Sequence, residues 1–182
     1  MEMILVVSSI LLWVMVLLNM LWTLGLARRV RSVHPVMDSL KIGQRAPAFS
    51  APSLQSSLMT LADYAERVAA FVFVSPHCEP CRNELPHLRE LSSKAREYGV
   101  ELVLVSDEGE ETTRPFVDGT MDGLTVLVAP RNHNRFFSDY KVPGTPSFYL
   151  LDAQGKVQGT GIGVSELSEK IEALPRGAKG GD

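Results

Sequence analysis

The sequence is poor in cysteine, and this shortage restricts what its cysteines can do. Only Cys78 and Cys81 carry a thiol among 182 residues, so the chain can form one internal disulfide. One bond cannot supply the framework of several disulfides that holds small secreted scaffolds together. A bond across so short a loop would also restrain the unfolded chain very little. The pair therefore indicates a disulfide that opens and closes during function.

Charge is also scarce, and its two signs are nearly balanced. Charged residues make up 21% of the chain, and the formal net charge is −3. Without an excess of positive charge the chain does not attract nucleic acid or an acidic surface, so neither is expected as a partner. The length and the hydrophobic content of 45% predict one globular domain of ordinary size with an additional segment.

The stretch 3–26 contains no charged side chain. In a helix, about 24 residues at ~1.5 Å each would extend roughly 36 Å, which exceeds the ~30 Å hydrocarbon core of a bilayer. A cleaved signal peptide would begin with basic residues and end in a small-residue cleavage site. Here no basic residue precedes the stretch, and Arg28 and Arg29 follow it. We expect residues 1–27 to form an uncleaved single-pass membrane anchor.

The orientation of this anchor receives opposite predictions from two arguments. Arg28, Arg29 and Arg31 follow the apolar stretch, and the positive-inside rule then places the rest of the chain in the cytoplasm. Proteins that contain disulfides occur mainly outside the cytoplasm, and a dithiol that acts on them must lie there too. We expect the second argument to prevail and the catalytic domain to be extracytoplasmic.

The remainder of the chain divides by composition into three parts. Residues 28–41 are polar and predict a juxtamembrane linker, residues 42–174 predict a compact domain, and the Gly-rich residues 175–182 predict a disordered tail. Within the domain, periodicity and turn signals predict strands at 68–74, 100–106, 124–128, 146–151 and 157–161, and helices at 79–98, 110–117, 132–140 and 165–174. This order predicts an α/β sandwich with a mixed sheet.

The two cysteines lie between the first long strand and the first long helix of that domain. Only a thiolate attacks a disulfide, and the N-terminus of a helix stabilises negative charge through free N–H groups and the helix dipole. Cys78 begins the helix and is predicted to be the attacking thiol. Cys81 lies one turn deeper, with Arg82 beside it, and is predicted to resolve the mixed disulfide.

Four neighbours of the cysteines are candidates for tuning these thiols. Pro80 fits the first turn of a helix, where a missing N–H costs little, whereas Glu79 favours the helix start but opposes a nearby thiolate. His77 could stabilise the thiolate when protonated or cover it, or it could be an exposed loop residue. Glu84 could accept the proton of Cys81, or it could be a solvated helix residue.

A metal site is the main alternative for a Cys-x-x-Cys pair. Zinc requires four ligands, and the remaining candidates are the scattered histidines His34, His77, His87 and His133. We therefore expect no metal and no other cofactor. The acidic run Asp107-Glu108-Gly109-Glu110-Glu111 is interpreted as a solvated surface in preference to a docking face for a partner.

Three motifs together resemble the thioredoxin-like redoxins of the TlpA/ResA type. They are Cys78-Glu79-Pro80-Cys81 followed by Glu84 and Pro86, the upstream Gly43-x-x-Ala46-Pro47-x-Phe49, and Gly144-Thr145-Pro146. The segment Ser75-Pro76-x-Cys78, combined with the apolar N-terminus, is similar to MauD. The resemblance implies a thioredoxin-like three-layer sandwich with a mixed central sheet, preceded by one transmembrane helix.

The resemblance also implies a function. Such proteins are membrane-anchored thiol–disulfide oxidoreductases that act on disulfides or dithiols of protein partners. It further implies an upstream electron donor or acceptor in the membrane. The MauD-like arrangement implies assistance in the maturation of a secreted or membrane redox protein, of the methylamine dehydrogenase or cytochrome c type. Pro146 would be a cis-proline facing the dithiol, and with Thr145 it would bind the extended substrate chain.

Two residues depart from the family pattern, and two other functions remain as alternatives. His77 replaces the common aromatic before the first cysteine, and Val72 stands where thioredoxin has a buried acid, so the redox direction stays open. A peroxiredoxin-like peroxidase would share the fold, but Phe71 stands where its signature has proline. A Sco-like copper-binding maturation factor would need a longer cysteine spacing and His133 as a third ligand.

Overall fold

The computed structural model describes residues 1–33, 39–117, 119 and 123–175, with side chains of the first helix described as far as Trp22. The chain separates into two compact units, Met1–Met37 and Asp38–Asp182. Residues 34–38 of the predicted linker and residues 176–182 of the predicted tail lie outside the described residues.

The first unit contains the helix α1 (Glu2–Val33), which is longer than the predicted anchor. Its segment Glu2–Trp22 is long and apolar enough to cross a membrane, and none of that segment is buried within the structure. The helix continues through Arg28 and Arg29 because alanine and arginine are favourable helix formers. The arginines therefore end the apolar stretch without ending the helix.

The described residues of the second unit form seven strands, of which the last five make one sheet. The strands are β1 (Ser50–Pro52), β2 (Leu58–Thr60), β3 (Val68–Val74), β4 (Val100–Ser106), β5 (Thr125–Val128), β6 (Ser147–Leu151) and β7 (Val157–Ile162). The sheet has the order β5-β4-β3-β6-β7; β3 is parallel to β4 and antiparallel to β6. The predicted mixed sheet is confirmed, and β3 lies at its centre.

Side chains alternate across this sheet and create a core on each of its faces. The helices are α2 (Glu79–Glu97), α3 (Glu110–Val117), α4 (Phe136–Asp139) and α5 (Val164–Glu172). Val72 and Val74 of β3 pack on one face with residues of α2 and α5, while Phe71 and Phe73 pack on the other with the aromatic residues of α4. These layers form the three-layer thioredoxin-like sandwich that the family resemblance implied.

Two predicted helices were wrong in extent. A helix over 132–140 was predicted, but α4 covers only Phe136–Asp139 because the side chain of Asn134 accepts the backbone N–H of Phe136. Such a local bond replaces helical hydrogen bonding at that point. The last helix was predicted to start at a Ser165 cap, but it starts at Val164, and Gly163 is the N-cap with φ of 80°.

Candidate functional site

The dithiol begins directly where the central strand ends. After Val74 the chain makes a turn in which the backbone N–H of Cys78 donates to the carbonyl of Ser75 at 3.1 Å. Pro76 occupies the second position of that turn, where its fixed φ is favourable. The turn reverses the chain so that Cys78 becomes the N-cap residue of α2.

The sulfur of Cys78 has two polar neighbours. It accepts the backbone N–H of Cys81, with 3.3 Å between Sγ and N, and it donates to the carbonyl of Thr145, with 3.3 Å between Sγ and O. A side chain that accepts an N–H of the first helical turn satisfies one of the free donors at a helix N-terminus. If this thiol ionises, the same N–H and the helix dipole face the negative charge. Cys78 is half-buried, and no disulfide joins it to Cys81.

Cys81 has a different environment on the same helix. Its side chain is fully buried in the core between the sheet, α2 and α5. Burial, followed by the hydrogen bond with the Cys78 side chain, raises the pKa of the Cys81 thiol to about 12. At neutral pH Cys81 therefore carries its proton, whereas Cys78 is the thiol within reach of a partner.

The Thr145–Pro146 segment faces the dithiol from the start of β6. The peptide bond between these residues is cis, as the family resemblance implied. The carbonyl of Thr145 is directed at Cys78 across a sequence separation of 67 residues. The fold thus brings together Cys78, Cys81, Thr145 and Pro146.

His77 is directed away from the protein core. Its Nε2 lies 3.7 Å from Oε1 of Glu108, and 70% of its side chain is exposed. Glu108 follows β4, the parallel neighbour of β3, so the pair joins the dithiol turn to the turn beside it. The contribution of His77 to thiolate stability remains a prediction.

The acidic run after β4 is largely occupied by contacts within the chain. Oδ2 of Asp107 accepts from Nε of Arg131 at 3.0 Å, and that guanidinium lies 4.5 Å from the ring centre of Phe137. Glu110 forms an ion pair with Arg114 on α3. With Glu108 near His77, three of the four carboxylates in the run have a basic partner, and none of these partners followed from the sequence.

The other predicted tuning residues lie around the first turns of α2. Glu79 and Pro80 are exposed in the first turn of the helix. Glu84 is partly buried, and its Oε1 lies near Gly163. A Cβ atom added at Gly163 would be 3.7 Å from this oxygen. Among the described residues Glu84 forms no hydrogen bond with either sulfur, so its predicted role as a proton acceptor gains no contact from the structure.

Arg82 makes a contact that the sequence analysis missed. Its Nη2 donates to the carbonyl oxygen of Pro76 at 2.8 Å. The sequence had identified Arg82 only as a neighbour of Cys81. Side chains of a helix lean toward its N-terminus, so a long residue in the first turn can reach the preceding loop. This general direction could have been used to predict a contact with the preceding loop. The particular acceptor, the Pro76 carbonyl, is known only from the folded turn.

The residues proposed for metal binding are not gathered into one place. Within the described part of the chain, no group of three or more His, Cys, Asp or Glu side chains is arranged to hold a metal ion. His34 lies outside the described residues. The zinc and copper alternatives therefore have no ligand set in the part that is described.

Comparison with known proteins gives a consistent set of relatives. Residues 42–160 match the family model described as the AhpC/TSA family. Over 136 residues the chain is 31% identical to the thiol-disulfide oxidoreductase ResA of Bacillus thuringiensis (strain Al Hakam). The aligned region covers 74% of this chain and 77% of the relative. Over 139 residues it is 28% identical to the thioredoxin-like protein YneN of Bacillus subtilis (strain 168), covering 71% and 78% of the two chains.

Solved structures agree with this relationship. A Chlorobium tepidum protein described as a thiol:disulfide interchange protein DsbE superposes with a TM-score of 0.66 at 26% identity, covering 74% of this chain and 98% of the other. The thioredoxin domain of a Bacteroides vulgatus thiol-disulfide oxidoreductase also gives a TM-score of 0.66, with 74% and 97% of the two chains covered. At 22% identity the second comparison supports the fold alone.

Proposed function

The chain belongs to the AhpC/TSA family and is a thioredoxin-like thiol–disulfide oxidoreductase, and we propose that it exchanges disulfides with protein partners through Cys78 and Cys81. The contact between the Cys78 sulfur and the Cys81 N–H at the start of α2 is the observation on which this proposal rests. It is supported by the contrast between an accessible sulfur at a helix start and a fully buried one in the same turn.

In the first step the thiolate of Cys78 attacks one sulfur of a partner disulfide. A bond forms between Cys78 and that sulfur, the disulfide bond of the partner breaks, and the second partner sulfur leaves as a thiolate. The Cys81 N–H lies where it can stabilise the negative charge on Cys78 before attack. Cys78 is only half-buried, so a protein partner can reach it.

In the second step Cys81 attacks Cys78 and releases the reduced partner. The proton of Cys81 passes to the departing partner thiolate, the Cys78–Cys81 disulfide forms, and two electrons have moved from the dithiol to the partner. A raised pKa keeps Cys81 protonated until the mixed disulfide exists. Glu84 remains our candidate to assist this proton transfer. The reverse sequence oxidises a partner dithiol, and relative reduction potentials decide the direction.

Thr145 and Pro146 are proposed to bind the extended segment of the partner that carries its cysteine. The support is their position opposite Cys78, with the Thr145 carbonyl directed at the sulfur. An extended segment that pairs with exposed backbone groups is a common mode of peptide recognition. His77, Glu79 and Pro80 are exposed neighbours of Cys78 along the chain and are proposed to tune the thiols.

The anchor, the location and the partners complete the proposal. Residues 1–27 would hold the chain in a membrane, with 28–41 as a linker to the catalytic domain 42–174 and 175–182 as a tail. The domain would lie on the extracytoplasmic side, where an upstream membrane protein supplies or accepts electrons. By its similarity to MauD and ResA, it would assist maturation of a redox protein of the methylamine dehydrogenase or cytochrome c type.

Cysteine variants of the full-length protein test the chemistry. We expect Cys78→Ser to abolish reduction of a protein disulfide such as insulin, and Cys81→Ser to accumulate mixed disulfides with partners in cells. A double variant is the matched control for non-specific trapping. Rapid turnover of peroxide that requires only Cys78, without exchange between proteins, would contradict the proposal and favour a peroxidase.

Labelling of intact cells tests the orientation. With the reduced protein, a membrane-impermeant thiol reagent is expected to modify Cys78 before the cells are broken open. The Cys78→Ser variant controls for labelling at other thiols, because Cys81 is buried. Labelling only after cell disruption would place the domain in the cytoplasm, as the arginines after the apolar stretch suggest.

A further inference from the structure

Arg82 connects the dithiol helix with the loop that precedes it. Its guanidinium donates to the Pro76 carbonyl at 2.8 Å, while its backbone N–H donates to the Cys78 carbonyl at 3.2 Å. Pro76 itself is buried between the end of β3 and the start of α2. A buried carbonyl that loses its donor carries a desolvation penalty, so this contact stabilises one conformation of the turn.

Helix stability does not account for an arginine at this position. The N-terminus of a helix favours negative side chains, and a cation in the first turn is unfavourable there. The side chain is otherwise exposed, and among the described residues its hydrogen bond to Pro76 is the polar contact that it makes. Its contribution is therefore to the loop, and the loop positions the backbone of His77 and Cys78.

We propose that Arg82 is a positioning residue for thiol–disulfide exchange: by binding the Pro76 carbonyl it holds Cys78 in the turn where its sulfur meets the Cys81 N–H and the Thr145 carbonyl. This inference rests on the proposed function. Arg82 acts through the backbone of the turn and does not contact the reacting sulfur. The three distances that carry the inference are 2.8 Å from Arg82 to Pro76 and 3.3 Å for each contact of the sulfur.

The turn affects the stability of the reduced protein relative to the disulfide form. When the sulfur of Cys78 remains on the Cys81 N–H, the reduced state gains a charge-assisted hydrogen bond upon ionisation. A disulfide sulfur carries no negative charge and gains less from the same N–H. Loosening the turn should therefore slow attack by Cys78 and shift the equilibrium toward the disulfide.

Two substitutions of Arg82 and one matched control test this inference in the full-length reduced protein. Arg82→Met removes the donor group, Arg82→Lys keeps a donor group and the positive charge, and Arg89→Met removes an exposed arginine from the same helix. The probe is glutathione, because a small molecule reports on the thiols without a protein docking surface. The rate constant with oxidised glutathione and the equilibrium constant in a glutathione buffer are measured together with the thermal midpoint.

We expect Arg82→Met to lower the rate constant and to shift the equilibrium toward the disulfide, each about fivefold, which corresponds to loss of one hydrogen bond. Arg82→Lys should recover at least half of both losses, and Arg89→Met should behave as wild type. The equilibrium constant with glutathione distinguishes a positioning role from a purely structural one. If Arg82 contributed only to the stability of the fold, its loss would change the thermal midpoint and leave that constant unchanged.

Three results would overturn the inference. They are wild-type rate and equilibrium constants for Arg82→Met, equal effects of Arg89→Met, and no recovery with Arg82→Lys. Failure of the proposed function gives a different result, because the unmodified protein would then not react with oxidised glutathione through Cys78 at all. The two failures are therefore distinguishable within one experiment.

Discussion

Cys78 and Cys81 are identical side chains in different surroundings, and we propose different tasks for them. Cys78 is half-buried at the start of α2, whereas Cys81 is fully enclosed three residues later. This difference in burial could be predicted from the sequence, because one residue begins the helix and the other lies one turn inside it. The contact with Thr145 could not be predicted from spacing, since it joins residues 67 positions apart.

Tyr140 provides a test of the core at the residue scale. Its side chain is fully buried, and its hydroxyl has no hydrogen-bond partner among the described residues. Burial raises the pKa of Tyr140 above its ordinary value of 10. In the unfolded chain the phenol ionises as pH rises past 10, while in the folded protein it stays protonated. The contribution of this group to stability is therefore present below pH 10 and is lost as pH rises above it.

Tyr140→Phe is expected to remove this part of the alkaline destabilisation. Above pH 10 the free energy of unfolding should fall less steeply than in the wild type, by up to ~1.4 kcal/mol per pH unit. Near pH 7 the variant should be at least as stable, because an unpaired buried hydroxyl is removed. Urea unfolding at several pH values measures both quantities. Identical alkaline slopes would show that burial does not raise the pKa of Tyr140, and a loss of stability at neutral pH would show that the hydroxyl has a partner.

At the scale of elements, the limits of the long apolar strands were predictable, whereas those of two short helices were not. The strands β3 and β4 have the predicted limits because hydrophobic runs and their boundaries specify them directly, and the polar helix α3 also has its predicted limits. The limits of α4 and α5 were wrong because single local bonds decide them. Asn134 shortens α4, and at α5 the N-cap is a glycine that carries no capping side chain.

Gly163 joins β7 to α5 in a conformation that other residues avoid. Its φ is 80° and its ψ is 165°, a region open essentially to glycine alone. Gly163→Ala is therefore expected to lower the free energy of unfolding by about 1–3 kcal/mol. Gly144→Ala is the matched control, since Gly144 lacks a positive φ and has open space around it, and it should change stability by less than about 0.5 kcal/mol. Chemical denaturation compares the two, and equal effects would contradict this account of the junction.

At the scale of the whole molecule, the pairing of strands in the sheet brings the segments of the candidate site together. The parallel arrangement of β3 and β4 brings their carboxyl ends together, so the dithiol turn meets the acidic turn. The antiparallel strand β6 starts beside the carboxyl end of β3, and Thr145 and Pro146 directly precede it. The fold class followed from the order of predicted elements, but the residues assembled across the sheet came from family resemblance.

At this scale the sequence did not predict which acceptors the arginine side chains bind. Arg82 and Arg131 each reach an acceptor that belongs to another segment, one in the turn before α2 and the other after β4. Long flexible side chains can reach many acceptors, and only the folded backbone selects one. The apolar N-terminal helix shows the opposite case, because length and composition alone predict a helix that is long and apolar enough to cross a membrane.

The division of work between the two cysteines is tested most directly by mapping the first mixed disulfide. The reduced full-length protein is mixed with excess oxidised glutathione, quenched with acid at increasing times, digested and analysed by fragment mass spectrometry. We predict that glutathione first appears on Cys78 and that this species then converts to the Cys78–Cys81 disulfide. A first adduct on Cys81, or no adduct on either cysteine, would contradict the account.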